Sequence, residues 1–431
     1  MTNFPQTGIT NRPPEHLLLA TFRFVHEDAP GARASLAALS NLVERELRSD
    51  LDPPNPPEGK EEPSAETGEL GFVDGYDRAH LTITFGISST GFDRLGVAAE
   101  DRPQDLRPIP WDRLGDTPNN PDSGDIVLQI CADNLFICEH VVRRIEEELG
   151  HEFALVATTI GSQRYNSRPG RTSRREGRAL IGFLDGTSNL NPRDSDADAE
   201  LVFVDPAKVG EYPDKPPVEP PPEQVSPYGG GGQPGQGPRF PPDLPDKPAR
   251  EPDWVEGGTY MTVRISTFDS TAWDDFSQNA QEAAVGRFKV SGASLDLEDS
   301  DADLEKEPAF AAEQGNTKVA VTAHIRKANP RGGEADAKRR IFRRGYPLIS
   351  PADGALRRGL VFIAFARTIS TQFEFVFRGW MRNPDFPEPG KGVDALLFEK
   401  LGEQVLGGGY YFVPPLEHKT KPWTWVLPEA R

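Results

Sequence analysis

Cysteine is nearly missing from this sequence: Cys131 and Cys138 are the two in 431 residues. Two thiols cannot build a disulfide framework, and neither has neighbours at zinc-ligand spacing, so both are expected to be buried and reduced. Long apolar runs are missing too. None reaches the roughly 18 to 20 residues that a membrane-spanning helix needs. Residues 1–15 hold neither a basic stretch leading into an apolar core nor a twin-arginine pair, the marks of an export signal. The expectation is a cytoplasmic chain with no membrane partner. Positive charge is also scarce. Against 67 Asp and Glu stand 48 Lys and Arg, a net charge of −19. A sequence-independent grip on phosphates needs the opposite sign, so nucleic acid is excluded as a general partner. Soluble partners or small neutral or cationic substrates fit better. The length speaks against one simple core and for two domains.

What is present is an alternation of periodicities. Residues 17–25 form an apolar-rich run suited to a mostly buried strand. Leu36, Leu39, Val43 and Leu47 then recur at helical spacing within residues 33–47. A Pro/Glu-rich loop at residues 52–69 follows. Leu81, Ile83, Phe85 and Ile87 alternate with Thr82, Thr84 and Gly86, as in a strand with one face inward. Residues 125–132 read as a strand. Leu135, Cys138, Val142, Ile145 and Leu149 stripe a helix, and residues 152–159 give a further strand. The order is β-α-β-β-α-β, a ferredoxin-like unit. The second half repeats it without repeating the sequence: a strand at 258–267, a helix at 272–285, a strand near 341–346, an unbroken apolar strand at 360–365, a helix at 371–381 and a strand at 410–413. The predicted fold class is therefore α+β, two ferredoxin-like (βαββαβ) domains packed sheet to sheet as in a dimeric α+β barrel. The domains are residues 1–210 and 254–431. Residues 211–253, dense in Pro and Gly, read as a surface insertion or linker, mobile and unpacked.

Three stretches carry chemistry. In His324-Ile-Arg326-Lys-Ala-Asn-Pro-Arg331 one histidine stands between apolar and cationic residues. A five-coordinate haem needs one neutral imidazole below the iron, an acceptor that fixes its tautomer, and nearby cations for the propionates. His324, Arg326 and Arg331 supply those residue types, although one histidine beside a basic loop is more often structural. In Gly182-Phe-Leu-Asp185-Gly186-Thr187 an Asp-Gly pair is ordinarily a turn signal. Here the preceding apolar residues would tuck Asp185 into a dry site, where burial suits a carboxyl to proton shuttling. In residues 339–347 a basic patch is interleaved with apolar residues. One arginine turned into an apolar pocket would stabilise developing negative charge.

Together these stretches resemble the dye-decolorizing peroxidase family. The resemblance implies a double ferredoxin-like fold and a b-type haem (iron protoporphyrin IX). It carries the distal aspartate to Asp185, the distal arginine to Arg343 in preference to Arg344, and the proximal, iron-ligating histidine to His324. Leu360 and Phe362 match apolar residues of the distal face, and Gly186, Thr187, Arg326 and Arg331 fall among the cofactor contacts. Further matches are residues 257–264, Gly286-Arg287 and residues 410–415. The implied reaction is peroxidase turnover. Asp185 moves a proton between the oxygens of hydrogen peroxide, Arg343 stabilises the anion, and two one-electron reductions return a ferryl haem to ferric. Dyes, phenols or other small aromatic donors would supply the electrons, with surface Trp or Tyr passing them inward for bulky donors. An acidic activity optimum follows from a carboxylate in place of an imidazole as the base. Two other readings stay open: a haem-binding or haem-handling protein without significant turnover, and an interaction protein in which His324 is a core residue. Homo-oligomerisation stays open as well.

Overall fold

The computed structural model describes residues 3–48, 80–163, 165–166, 176–222, 237–297, 308, 310, 318–352, 355–419, 421 and 423–428. The loop at 52–69 and most of the acidic run at 296–307 lie outside them. Among the described residues no helix is long and apolar enough to cross a membrane.

The first half runs β1 (His16–Phe24), α1 (Ala29–Arg48), β2 (Thr82–Ile87), β3 (Ile126–Ala132), α2 (Leu135–Leu149) and β4 (Phe153–Ser162). The second runs β5 (Thr259–Phe268), α3 (Gln278–Val285), α4 (His324–Ala328), β6 (Phe342–Arg343), β7 (Tyr346–Ala352), β8 (Ala355–Ala366), α5 (Ile369–Met381) and β9 (Gln404–Val413). The strands share one antiparallel sheet in the order β4-β1-β3-β2-β9-β5-β8-β6, with β7 also on β8. Each half thus shows the ferredoxin-like order, fourth strand beside first, then third, then second. The halves join through one residue pair, Ile87 with Phe412.

The sheet curls until its ends approach. Gln163 donates to the Gly345 carbonyl at 2.9 Å, and Gly161 lies against Tyr346 so closely that an added Cβ would stand 2.6 Å from the Tyr346 Cβ. The result is the predicted α+β barrel. Because strand side chains alternate, each strand feeds two cores. Leu17, Leu19, Val127 and Cys131 meet Met261, Val263, Ile363 and Tyr411 inside the barrel. Leu18, Ala20, Phe22, Leu128 and Phe412 face outward under α1, α2 and α5. Both cysteines are buried and free, as expected.

Several boundaries differ from the sequence reading. The helix expected at 272–285 is broken at 276–277, because Ser277 caps a new start by accepting from the Ala280 amide at 3.3 Å. The strand expected at 341–346 is two short strands, β6 and β7, separated by Arg344-Gly345. Arg344 is buried and holds the N-terminal segment. It donates to the carbonyl and, at 2.8 Å, to the side chain of Asn11. Gln6, also buried, bonds both the Phe85 backbone and the Pro414 carbonyl.

The segment expected to be unpacked is not so where it is described. Phe240 packs on Phe375 and Phe386, with centroids 5.8 and 5.9 Å away, and Tyr212 and Leu244 are buried. Apolar residues scattered among the prolines find the groove beside α5. Buried carboxylates tie the halves together. Asp105 accepts from the Ile369 and Ser370 amides at 2.7 and 2.8 Å and so caps α5 from the other half of the chain. Glu251 accepts from the Tyr260 hydroxyl at 2.5 Å and from the Gln104 amide at 2.9 Å.

Phe412→Ala at the seam, where the ring contacts Trp254 and Tyr260, is expected to lower stability by about 3–5 kcal/mol in urea unfolding. Burial pushes the Glu251 carboxyl up to about 7. Between its ordinary range and that value the folded chain binds more protons than the unfolded one, so this group's contribution to stability falls as pH rises to 7. Urea midpoints at pH 5 and pH 8 should lie closer together in Glu251→Gln than in the parent.

Candidate functional site

The loop that bears Asp185 is a tight reversal. Arg178 and Leu184 bridge, and glycines with φ of +93° and +75°, Gly182 and Gly186, turn the chain on either side. Phe183 is driven into a small core with Trp273, at a centroid distance of 6.4 Å, and the Trp273 indole donates to the Ile181 carbonyl at 3.1 Å. The apolar residues are therefore buried as expected, but Asp185 is not. It is exposed, and its Oδ1 accepts the Gly186 amide at 2.7 Å. The turn that buries Phe183 points its neighbour two places on outward.

Arg343 stands beside this loop. Its backbone N–H donates to Asn189 Oδ1 at 3.0 Å, the Asn189 amide donates back to its carbonyl at 2.7 Å, and its Nη2 donates to the Thr187 carbonyl at 2.9 Å. Burial lowers the guanidinium's pKa, and the Asp185 carboxylate opposes that shift, so the two side chains share one electrostatic site. Pairing of β6 with β8 sets Arg343 opposite Ala364. By alternation Leu360 and Phe362 lie on the same face, both half-buried. Arg344 points the other way, into its contacts with Asn11.

His324 opens α4. Its Nδ1 donates to Asp394 Oδ2 at 2.8 Å, and Asp394 is fully buried. The other oxygen of Asp394 accepts the Leu396 and Leu397 amides at 3.0 and 3.1 Å, so a capped helical turn fixes the carboxylate that fixes the imidazole. One face of α4 continues three residues on with Lys327, which is wholly buried and donates to the carbonyls of Asn383, at 2.7 Å, and Phe386. This pins the loop leading to Asp394. Arg326 does not join His324. Two residues apart on a helix, their side chains diverge. Arg326 donates to the Val319 carbonyl at 3.1 Å and lies over Phe310, as Arg331 does, at 5.7 and 5.1 Å. The histidine and the Asp185 loop are bridged by Gly286-Arg287. Gly286 has φ +91°, and an added Cβ would meet Ile325 at 2.7 Å. Arg287 reaches the Ser188 hydroxyl at 3.4 Å.

Sequence reasoning asked for an acceptor on His324 without naming it. Asp394 could have been found as an N-cap before the apolar Ala-Leu-Leu-Phe, though not its partner 70 residues away. Asn189 gave no signal beyond following the Asp185 turn.

A barrel of two ferredoxin-like halves, with one histidine held at Nδ1 by a buried carboxylate, defines the class: a haem-dependent oxidoreductase of the α+β barrel type. The chain belongs to the Dyp-type peroxidase family. Residues 6–161 match the family's N-terminal description, "Dyp-type peroxidase, N-terminal", and residues 245–418 match "Dyp-type peroxidase, C-terminal". It is a haem peroxidase that takes hydrogen peroxide as acceptor. Among its relatives is a protein named Deferrochelatase from Escherichia coli (strain K12), 25% identical over 427 residues, with 95% of this chain and 82% of that one covered. Among solved structures, a DyP-type peroxidase from Cellulomonas bogoriensis is 24% identical, with 99% and 95% covered and a TM-score of 0.66. The oxyferrous complex of DtpA from Streptomyces lividans is 22% identical, with 97% and 94% covered and a TM-score of 0.69. At these identities the structures bear on the fold alone.

The residues fit haem. With Nδ1 of His324 engaged, its Nε2 is the nitrogen left to ligate, and it has no partner among the described residues. Apolar Leu360 and Phe362 and cationic Arg343 offer the mixed lining such a group requires. Asp394→Asn keeps an oxygen for the helix cap and removes the charge behind His324. The expected outcome is a roughly 10- to 100-fold loss of peroxidase turnover and a raised haem midpoint potential by redox titration, with little change in thermal midpoint.

Proposed function

We propose that this chain reduces hydrogen peroxide at a haem held by His324, with Asp185 and Arg343 as the distal pair, and oxidises small aromatic or phenolic donors. The observation that carries the reading is the junction of Asp185, Thr187 and Arg343 in one electrostatic site. It is tied through Gly286-Arg287 to a histidine whose Nδ1 is already held by Asp394. In this reading residues 1–210 bring the distal aspartate, residues 254–431 bring the histidine and the arginine, and residues 211–253 connect them.

Haem, when bound, supplies the redox chemistry of O–O cleavage. Asp185, exposed and accepting the Gly186 amide, takes a proton from one peroxide oxygen and returns it to the other. Arg343 keeps its positive charge aimed at that place because Thr187 and Asn189 hold it from both ends, and it offsets the negative charge that develops. Asp394 strengthens His324 as a donor from the opposite side. Two electrons, delivered singly, and two protons complete the conversion of peroxide to two waters. Arg326 and Arg331, stacked at Phe310, neutralise propionates only after leaving that ring, so Arg343 is the cation to which the reading gives most weight.

Among the residues that could pass electrons inward, Trp273, Tyr346, Trp380 and Trp423 are buried packing residues, whereas Trp254 and Trp425 are half-exposed. A second reading, haem handling with release of iron, is favoured by the name of the relative from Escherichia coli.

The deciding measurement is the Soret spectrum of the haem-loaded protein before and after one equivalent of hydrogen peroxide, followed by porphyrin fluorescence. A fast spectral change with no metal-free porphyrin supports peroxidase turnover, whereas slow growth of porphyrin fluorescence supports the second reading. Arg343→Leu should retain haem yet slow the peroxide-induced change about 10²- to 10³-fold in stopped flow. Steady-state activity should peak on the acid side of neutral, and a maximum in alkali would remove Asp185 as proton carrier.

A further inference from the structure

A cleft of about 550 Å³ opens where the two half-sheets part. β2 and β9 are paired only at Ile87 and Phe412; past that pair the chain after β2 turns away as Ser88-Ser89-Thr90, while β9 runs on through Tyr410. The cleft fills the gap, and Asp185, His324 and Arg343 do not line it. Its volume lies within the range of small-molecule sites.

Its lining is specific. Pro108, Ile109 and the ring of Tyr410 give an apolar wall. Tyr410 is 2% exposed, and its buried hydroxyl lies among the charges of Glu374 and Arg107. Most charges at the rim cancel. Arg23 pairs with Asp122, Asp93 pairs with Arg102 at 2.5 Å, and the buried Asp125 accepts the Phe24 amide at 3.0 Å. Arg94, half-buried, is left without an ion pair or hydrogen bond among the described residues.

We propose that this cleft is the binding site of the reducing substrate, a small hydroxylated aromatic carboxylate. Its carboxylate pairs with Arg94 and its ring lies on Pro108 and Ile109, with its hydroxyl toward the open mouth of the cleft. The assignment rests on the peroxidase reading and gives it a donor class. The cleft also connects to the distal face. The Tyr410 ring packs on Phe373 at 6.0 Å, and Phe373 packs on Phe362 at 5.9 Å, the residue that shares a face with Arg343. In each turnover step the bound phenol loses one electron, which passes along these rings to the haem already oxidised by peroxide. It loses one proton to water at the open mouth of the cleft, and it leaves as a phenoxyl radical.

The test is calorimetric titration of 4-hydroxycinnamate into the haem-loaded protein, with the rate of the peroxide-induced Soret change measured alongside. One saturable site is expected, weakened about tenfold or more in Arg94→Ala by loss of a charge-assisted hydrogen bond. Ser89→Trp, which fills the cleft, should abolish it. The peroxide step should be unchanged in both. Absence of binding to the parent, or binding indifferent to both Arg94→Ala and Ser89→Trp, overturns the assignment. If peroxide leaves the Soret band unchanged, the peroxidase reading falls, and the titration still decides whether the cleft is a site.

Discussion

A single backbone pairing, Ile87 with Phe412, makes one sheet of two. Each ferredoxin-like half presents an edge strand there, and an exposed edge is a template for unwanted pairing. Because the edges are covered by each other for so short a length, the join cannot rest on ladder hydrogen bonds. The rings of Trp254, Tyr260 and Phe412, and the inner core of the barrel, carry it instead. The same brevity leaves the gap in which the cleft lies, so the weakest stretch of pairing is also where small molecules can enter the fold.

Around that seam the halves exchange buried polar contacts. Asp105 caps α5, Arg107 bridges Asp105 and Glu374, and Arg378 reaches both Glu374 and Asp243. Buried ions of this kind add little net stability compared with apolar packing, but removing one partner strands the other. They fix register rather than strength. Register is what matters where the Asp185 loop meets Arg343, because Arg343 reaches the Thr187 carbonyl only if the halves dock in one way.

Much of this was legible in the sequence. Period-2 and period-3.6 patterns gave both ferredoxin-like units, because a strand or helix that buries one face must show it locally; the unbroken run at 360–365 marked β8 as covered on both sides. His324, Asp185 and Arg343 stood out because each lies in a compact motif. What failed was whatever depended on distant partners or on side-chain direction. Asp105 as a cap for α5 involves residues 264 positions apart, and nothing near Asp105 announces it. Burial of Phe183 was foreseen and extended wrongly to Asp185, since a turn between two left-handed glycines separates their fates. Arg326 was grouped with His324 by proximity in the chain, whereas a helix places such neighbours on different sides. The Pro/Gly-rich connection was read from composition, which does not reveal that Phe240 and Leu244 have a groove to fill.

The contacts of the N-terminal segment order events in time. Gln6 bonds to the Pro414 carbonyl across a separation of 408 residues, and Arg344 closes on Asn11 across 333. During synthesis Gln6 can therefore meet Phe85 early, whereas its bond to Pro414 and that of Asn11 to Arg344 wait for residues made much later. Non-local closure of this kind is slow, and a nascent chain can complete its first half-sheet well before this latch forms. The barrel is finished from its two ends at once, late, and the strand that seals it, β9, is also the one that brings Tyr410 to the cleft. Assembly of the fold and completion of the cleft are thus the same final step.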